Sequence, residues 1–459
     1  FILKNKWDQN KVRVFYVTSA SVLKTEELGE VKRIAFVGYS AQTKKDKLTE
    51  ESHLKQQFDL EEVNDATIDD QNRARDAAAA ALKALFDDDR EQTVEVLFDD
   101  FDGNSQYVAE GAYLASYQFY LDEKKEQELK KTELSLIEKS GQEAWNKGRI
   151  ISVSQNFARW LEELPANYCT PIKFCEYASK RLEGTHITIE VHDETWAKEK
   201  KMNSFLSVSS GSDEPPRVFE AKYINNPKKS KDEIDLVLVG KGVCFDSGGY
   251  SLKPGPDMKL MKSDMGGSAT VVAVLSAIAQ LELPLNVVAI TMMVENMING
   301  KATRPGDVIT ASNGKTIEID NTDAEGRLAL ADGLVFASQT YKPDYLVDLA
   351  TLTGAIGVAL GSHCAGCFTS SNSAWKILEK AGYETNEYFW RMPLFRAVYK
   401  KQLKALSADL NNIGGAAGGS CTAAAFLAEF VDFNLVKNYV HLDIAKVVIP
   451  TPSECGTGR

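Results

Sequence analysis

Three stretches, IDLVLVG at 234–240, NVVAITMMV at 286–294 and DYLVDLA at 344–350, are apolar without alternation. A strand with apolar residues on both faces must be covered on both faces, as the central strands of an α/β sheet are. Suitable cover is close by in the chain. SATVVAVLSAIAQL (268–281) and CTAAAFLAEFV (421–431) read as helices too hydrophobic to face water on more than one side. These elements imply a large α/β domain with a mixed central sheet flanked by helices.

A smaller α/β domain is expected before it. VRVFYVTS (12–19), VKRIAFV (32–38) and TVEVLF (93–98) read as strands, and 70–88 and 111–120 as helices. The charged run 121–140 mixes both signs and reads as a solvated connection. Residues 144–171 hold one long helix that ends before Pro165. The boundary is set at its start, giving a 1–145 domain and a 146–459 domain. No internal repeat or low-complexity tract is visible.

Net charge is −12 over 459 residues, and no basic, aromatic-laced stripe is present. Both argue against a nucleic-acid surface. No apolar run approaches the ~20 residues of a membrane-spanning helix. The seven cysteines are odd in number and thinly spread, which points to reduced thiols in the cytoplasm or the mitochondrial matrix rather than a secreted protein. The C-x-x-C in HCAGC (363–367) lacks the second pair of a zinc site and the context of a redox motif. The chain opens at Phe1 rather than Met, so a processed or missing start is expected.

Several familiar chemistries are absent from the sequence. DDFDGNSQY (99–107), read as a calcium loop from Asp100, has Ser105 and Gly111 where Gly and Glu are required. GKGVCF (240–245) lacks the third glycine of a dinucleotide loop. There is no phosphate-binding G-x-x-x-x-G-K, no G-x-S-x-G and no H-E-x-x-H. With five histidines in the chain, a bound metal would take most of its ligands from oxygen.

Charge concentrates instead beside the buried runs. LVGKGVCFDSGGYSLKPG (238–255) carries Lys241, Asp246 and Lys253; MKSDMGGSA (261–269) carries Asp264; NTDAEGRL (321–328) carries Asp323, Glu325 and Arg327. Ligands of open α/β sheets bind outside the carboxyl ends of the strands. Gly240, Gly242, Gly248 and Gly249 are expected to supply the tight or positive-φ backbone that aims these side chains. Four carboxylates brought together would repel, and two divalent ions about 3.5–4 Å apart would neutralise them. Each segment alone also has a plain reading: NTDAEGRL and SDMGG as capped helix starts, GKG…FDSGG as a glycine-rich connection.

Together these segments resemble the M17 leucyl aminopeptidases, the dizinc cytosol aminopeptidase family. NTDAEGRL is similar to that family's signature, and VGKGVCFDSGG, MKSDMGGSA, LATLTGA (349–355), PANYCTP (165–171), GGSCTAAAFLAEFV (419–432) and HLDIA (441–445) match in order. The resemblance is strong over about 145–459. It implies a macro-like amino-terminal α/β domain and a catalytic domain that hydrolyses the amino-terminal peptide bond of short peptides, preferring Leu or other apolar residues. It implies a tightly held zinc on Lys241, Asp246, Asp264 and Glu325, and an exchangeable zinc, manganese or magnesium on Asp246, Asp323 and Glu325. It further implies Lys253 as oxyanion stabiliser, Arg327 as holder of a bicarbonate ion, and Met261, Thr351, Gly354 and Ala445 along the first side-chain pocket. The implied assembly is a homohexamer, a dimer of trimers.

Two departures stand out. Lys446 replaces the glycine that usually follows HLDIA, and Val448 stands where methionine can occur. An altered pocket wall leaves open a second reading, a structural or assembly member of the family with little turnover. The chain also stops at ECGTGR, where a closing helix is expected to follow.

Overall fold

The computed structural model describes residues 12–16, 33–37, 65–89, 95–101, 103–121 and 132–448. They form two compact units, divided between Asn156 and Phe157. Parts of the expected elements, residues 17–19, 32, 38, 93–94 and 122–131, lie outside the described residues, as do 449–459.

The first unit holds β1 (Val12–Tyr16), β2 (Arg33–Val37), β3 (Glu95–Phe98) and β4 (Glu133–Leu136) in a parallel sheet of order β2-β1-β3-β4. Helices α1 (Asp65–Asp89), α2 (Ser105–Ser116) and the first part of α3 (Gln142–Glu163) accompany it. Its core gathers Val96, Phe98, Val108, Leu134 and Leu136 around Trp145, which is 2% exposed. The Trp145 ring lies 5.7 Å from Phe98 and 5.9 Å from Tyr113.

Two expectations change here, and a third holds. The run 121–140 is not all connection, because ELSL forms β4 and buries Leu134 and Leu136 beside β3. Its neighbours in sequence are charged, but alternation over four residues suffices for a half-buried strand. The helix expected at 111–120 starts at Ser105 and ends at Ser116, and so begins inside the stretch rejected as a calcium loop. The long helix ends at Glu163, before Pro165 as expected.

The second unit is built on an eight-stranded mixed sheet of order β13-β12-β15-β11-β7-β8-β6-β5. Its strands are β5 (Ile187–His192), β6 (Arg217–Ile224), β7 (Leu236–Asp246), β8 (Asn286–Asn296), β11 (Tyr345–Ala350), β12 (Ala365–Thr369), β13 (Phe389–Met392) and β15 (Asn438–Asp443). The three apolar runs are β7, β8 and β11, which pair in parallel, with β15 parallel on the far side of β11. Strands β6 and β12 join this centre antiparallel. A smaller sheet of order β14-β10-β9 comprises β9 (Val308–Thr310), β10 (Thr316–Glu318) and β14 (Leu410–Asn411).

Helices cover the sheet: α4 (Pro171–Leu182), α5 (Gly266–Gln280), α6 (Gly326–Tyr341), α7 (Gly354–Leu360) and α8 (Gly419–Ala428). Every residue of β8 is buried, and so is every residue of α8 from Ser420 to Ala428. Among the described residues no helix is long and apolar enough to cross a membrane. The six described cysteines are unpaired.

The glycines divide into two kinds. Gly248 and Gly249 turn the chain with φ of 86° and 63°. Gly240 and Gly242 have no positive φ, and their role is close approach. A Cβ at Gly240 would lie 2.5 Å from Ser268 Cα, so α5 rests directly on β7.

Candidate metal centre

The candidate residues lie on the carboxyl-terminal half of β7 and in segments beyond the strands, on the side where α/β sheets open to ligands. Lys241 and Asp246 come from β7, which has a register irregularity between Val243 and Asp246. Asp264 precedes α5, Asp323 and Glu325 precede α6, and Arg327 sits in its first turn. Thr351 follows β11.

These segments, far apart in sequence, meet. Carboxylate oxygens of Asp246, Asp323 and Glu325 all lie within 4.8 Å of one another. Lys241 Nζ stands 2.7 Å from Asp264 Oδ2 and 3.0 Å from Glu325 Oε1, and donates to Thr351 O at 2.8 Å. Lys253 Nζ stands 2.7 Å from Asp246 Oδ2 and 2.5 Å from Asp323 Oδ1. Lys241, Asp246, Asp264 and Glu325 are at most 7% exposed. Four carboxylates therefore share two ammonium groups, Asp323 and Lys253 at a half-exposed rim and the others buried.

The electrostatics follow. Burial raises the Asp264 pKa well above the ordinary value, against the pull of Lys241. Burial and the nearby Glu325 raise that of Asp246, and burial and Asp246 raise that of Asp323. For Lys241, burial favours the neutral amine, but Asp264, Glu325 and Asp246 together outweigh it and hold the proton on. Burial alone therefore does not supply a neutral lysine ligand; an added positive charge would have to. Lys253 is held charged by Asp246 and Glu325, against its own burial.

The donor set fits divalent cations. It offers clustered hard oxygens with one amine beside them, and no histidine. Asp264 Oδ2 and Asp323 Oδ1 are buried and receive no directed hydrogen bond. Among the described residues, two other groups have metal-like spacing. In one, Glu220 is already paired with Lys222 at 2.6 Å and His192 at 3.1 Å. The other, Asp99, Asp100 and Glu138, is a half-buried acidic group of the first unit.

Arg327 is 6% exposed, and burial lowers its pKa to about 10. Its Nη1 donates to Asn412 O at 3.0 Å, while its buried Nε has no hydrogen-bond partner. A planar cation with an unused donor can take up a small anion.

The four pocket candidates occupy the surrounding segments. Met261 O accepts from Asp264 N at 3.3 Å, and Thr351 Oγ1 donates to Asp264 Oδ1 at 2.7 Å. Gly354 opens α7, and Ala445 follows β15. The last two segments are tied by a residue that the motif reading missed. Asp443 accepts from Thr353 Oγ1 at 2.6 Å, from Leu352 N at 3.2 Å and from Ala445 N at 3.4 Å. Asn296 was missed as well; it donates to Asp246 Oδ1 at 2.8 Å and to Thr322 O at 3.0 Å. Each is a polar residue closing a buried strand, a signal present in the sequence. The Lys446 stem lies over α7, its Cγ 2.2 Å from where a Cβ on Gly357 would stand, and the residue is exposed.

Comparison with known proteins identifies the family. The description "Cytosol aminopeptidase family, catalytic domain" matches residues 156–459. The chain is 42% identical over 402 residues to the cytosol aminopeptidase of Dictyostelium discoideum, covering 84% of this chain and 75% of that one. It is 46% identical over 349 residues to that of Homo sapiens, covering 75% of this chain and 66% of the human one. The fold is similar to that of a bottromycin maturation enzyme, BotP, solved in complex with Mn, with a TM-score of 0.77 and 29% identity over 96% of this chain and 92% of that one. This chain therefore belongs to the cytosol aminopeptidase family, a family of peptidases, and carries its catalytic domain.

Proposed function

We propose that the chain is a metal-dependent aminopeptidase that removes the amino-terminal residue, preferably Leu or another apolar one, from short peptides. The observation that carries this reading is the buried convergence of Asp246, Asp323 and Glu325 with Asp264 and Lys241. Lys241, Asp246, Asp264 and Glu325 would hold one cation, and Asp246, Asp323 and Glu325 the other, so that Asp246 and Glu325 serve both. When bound, two such cations supply an acidified water and a polarised peptide carbonyl. The Lys253 ammonium, 21% exposed and beside Asp246 and Asp323, suits stabilisation of the charge that develops on the carbonyl oxygen. Arg327 would hold a bicarbonate ion as proton acceptor, using its free Nε. Met261, Thr351, Gly354 and Ala445 would line the pocket that receives the first side chain.

The test is direct. Zinc- or manganese-loaded protein should hydrolyse a leucyl anilide, lose that activity to a strong chelator, and regain it with metal. Stoichiometric metal without cleavage of any amino-terminal bond would favour the structural reading of the chain instead. By family likeness the assembly is a homohexamer, and light scattering at six chain masses would support it.

A further inference from the structure

One carboxylate near the metal centre has no part in the scheme above. Glu162 lies in the last turn of α3. Its Oε1 stands 3.0 Å from the position of a Cβ on Gly266, and Val448 Cγ1 stands at the same distance. The end of α3 is fastened there by Lys262 Nζ, which donates to Glu163 O at 2.5 Å. Gly266 is two residues from Asp264, a span of at most about 7 Å. Glu162 thus flanks the Met261–Gly266 wall of the carboxylate cluster.

Its environment is unusual for a carboxylate. Glu162 is half-buried, and among the described residues it makes no hydrogen bond or ion pair. Burial pushes its pKa up to about 8, with Arg159 opposing and Glu163 adding. A carboxylate left without a partner against Val448 and glycine costs free energy, and a cation brought by a ligand would relieve that cost.

We infer that Glu162 sets a side-chain preference of the site by receiving the cationic end of an amino-terminal arginine or lysine. The inference rests on the aminopeptidase reading and adds basic residues to the apolar ones expected there. Lysine and arginine carry long apolar stems, which suit Met261 and Val448, below a charged head, which suits Glu162. Arginine can pair with a carboxylate through two parallel donors.

Arginyl and citrullyl anilides share shape and differ in charge, so their ratio isolates the ion pair. The metal-loaded wild type should cleave the arginyl substrate with kcat/KM on the order of tenfold above the citrullyl one. Glu162→Gln should bring the ratio near one, chiefly through KM. A wild-type ratio near one overturns the inference by itself, even if the variant does not fold, and so does a ratio preserved in a folded Glu162→Gln. Absence of cleavage of all anilides, leucyl included, overturns the aminopeptidase reading and this inference with it.

Discussion

Replacing Gly326 with alanine tests how tightly the amine of Lys241 is held. A Cβ at this position would lie 2.4 Å from Lys241 Cε and 2.8 Å from both Cδ and Nζ. Ordinary carbon contacts are about 3.5–4.0 Å, so the overlap is on the order of 1 Å. Lys241 has little room to retreat. It is 2% exposed, and its Nζ is anchored by Asp264, Glu325 and Thr351 O. Overpacking of this kind costs about 1–3 kcal/mol. Alanine offsets up to about 1 kcal/mol through its better helix propensity at the start of α6. The net expectation is a loss of about 1–2 kcal/mol in a urea melt. A displacement of about 1 Å in the site should also cost roughly 100-fold in kcat/KM on a leucyl anilide. Gly255→Ala is the control, because a Cβ there meets nothing within 4 Å, and its stability should stay within about 0.5 kcal/mol of wild type. A Gly326→Ala protein with wild-type stability and wild-type turnover would refute the pinned amine.

Arg327→Ala should slow peptide hydrolysis at least tenfold, on the order of a lost general-base contribution, while metal content by elemental analysis stays that of wild type; an unchanged rate would remove the proposed anion role. Lys253→Met should lower kcat by about 100- to 1,000-fold with little change in KM, and a loss confined to KM would argue for ground-state binding alone. Trp145→Ala should destabilise the first unit by about 3–5 kcal/mol, read by thermal melting, because the ring is 2% exposed between Phe98 and Tyr113; a shift of under 1 kcal/mol would mean that its core is not organised around this ring. Asp332 is fully buried, and burial raises its pKa to about 6, against hydrogen bonds from Ser312 N and Phe205 N. Because the folded value is raised above the ordinary one of about 3.8, its contribution is fully present below pH 4 and is lost as pH rises towards and through 6. The stability of the wild type should therefore carry a falling component of about 1.4 kcal/mol per pH unit across that window, absent from Asp332→Asn; parallel pH profiles of the two proteins would contradict the shift.

The central strands were legible because unbroken apolar runs admit few alternatives. β7, β8 and β11 appear where IDLVLVG, NVVAITMMV and DYLVDLA predict, with β7 running six residues further, to Asp246. That extension carries Lys241 and Asp246 on one strand, and a hydropathy reading ends too soon because glycine and charge interrupt the apolar signal. β4 was hidden for a related reason, since ELSL is too short to outweigh the charges around it. The clustered acids and lysines were identified from residue type and from motif resemblance. Their partners were not. Asn296 and Asp443 show in the sequence as polar residues closing the apolar strands β8 and β15, and Asn412 as the residue after β14, but that they reach Asp246, Thr353 and Arg327 becomes visible only in the fold. Gly240 and Gly242 suggest turns by residue type, but what they provide is close approach, to α5 at Gly240 and to Met293 and α5 at Gly242. Close approach between distant elements leaves no local mark in a sequence.

The most direct test of the account is the number of divalent ions held per chain, measured by elemental analysis after zinc loading and dialysis, in wild type and in Glu325→Ala. Two ions per chain in the wild type and nearly none in the variant are expected, because Glu325 would serve both cations. A wild type that retains no zinc, or a Glu325→Ala protein that retains both ions, would contradict the metal centre on which the proposed chemistry rests.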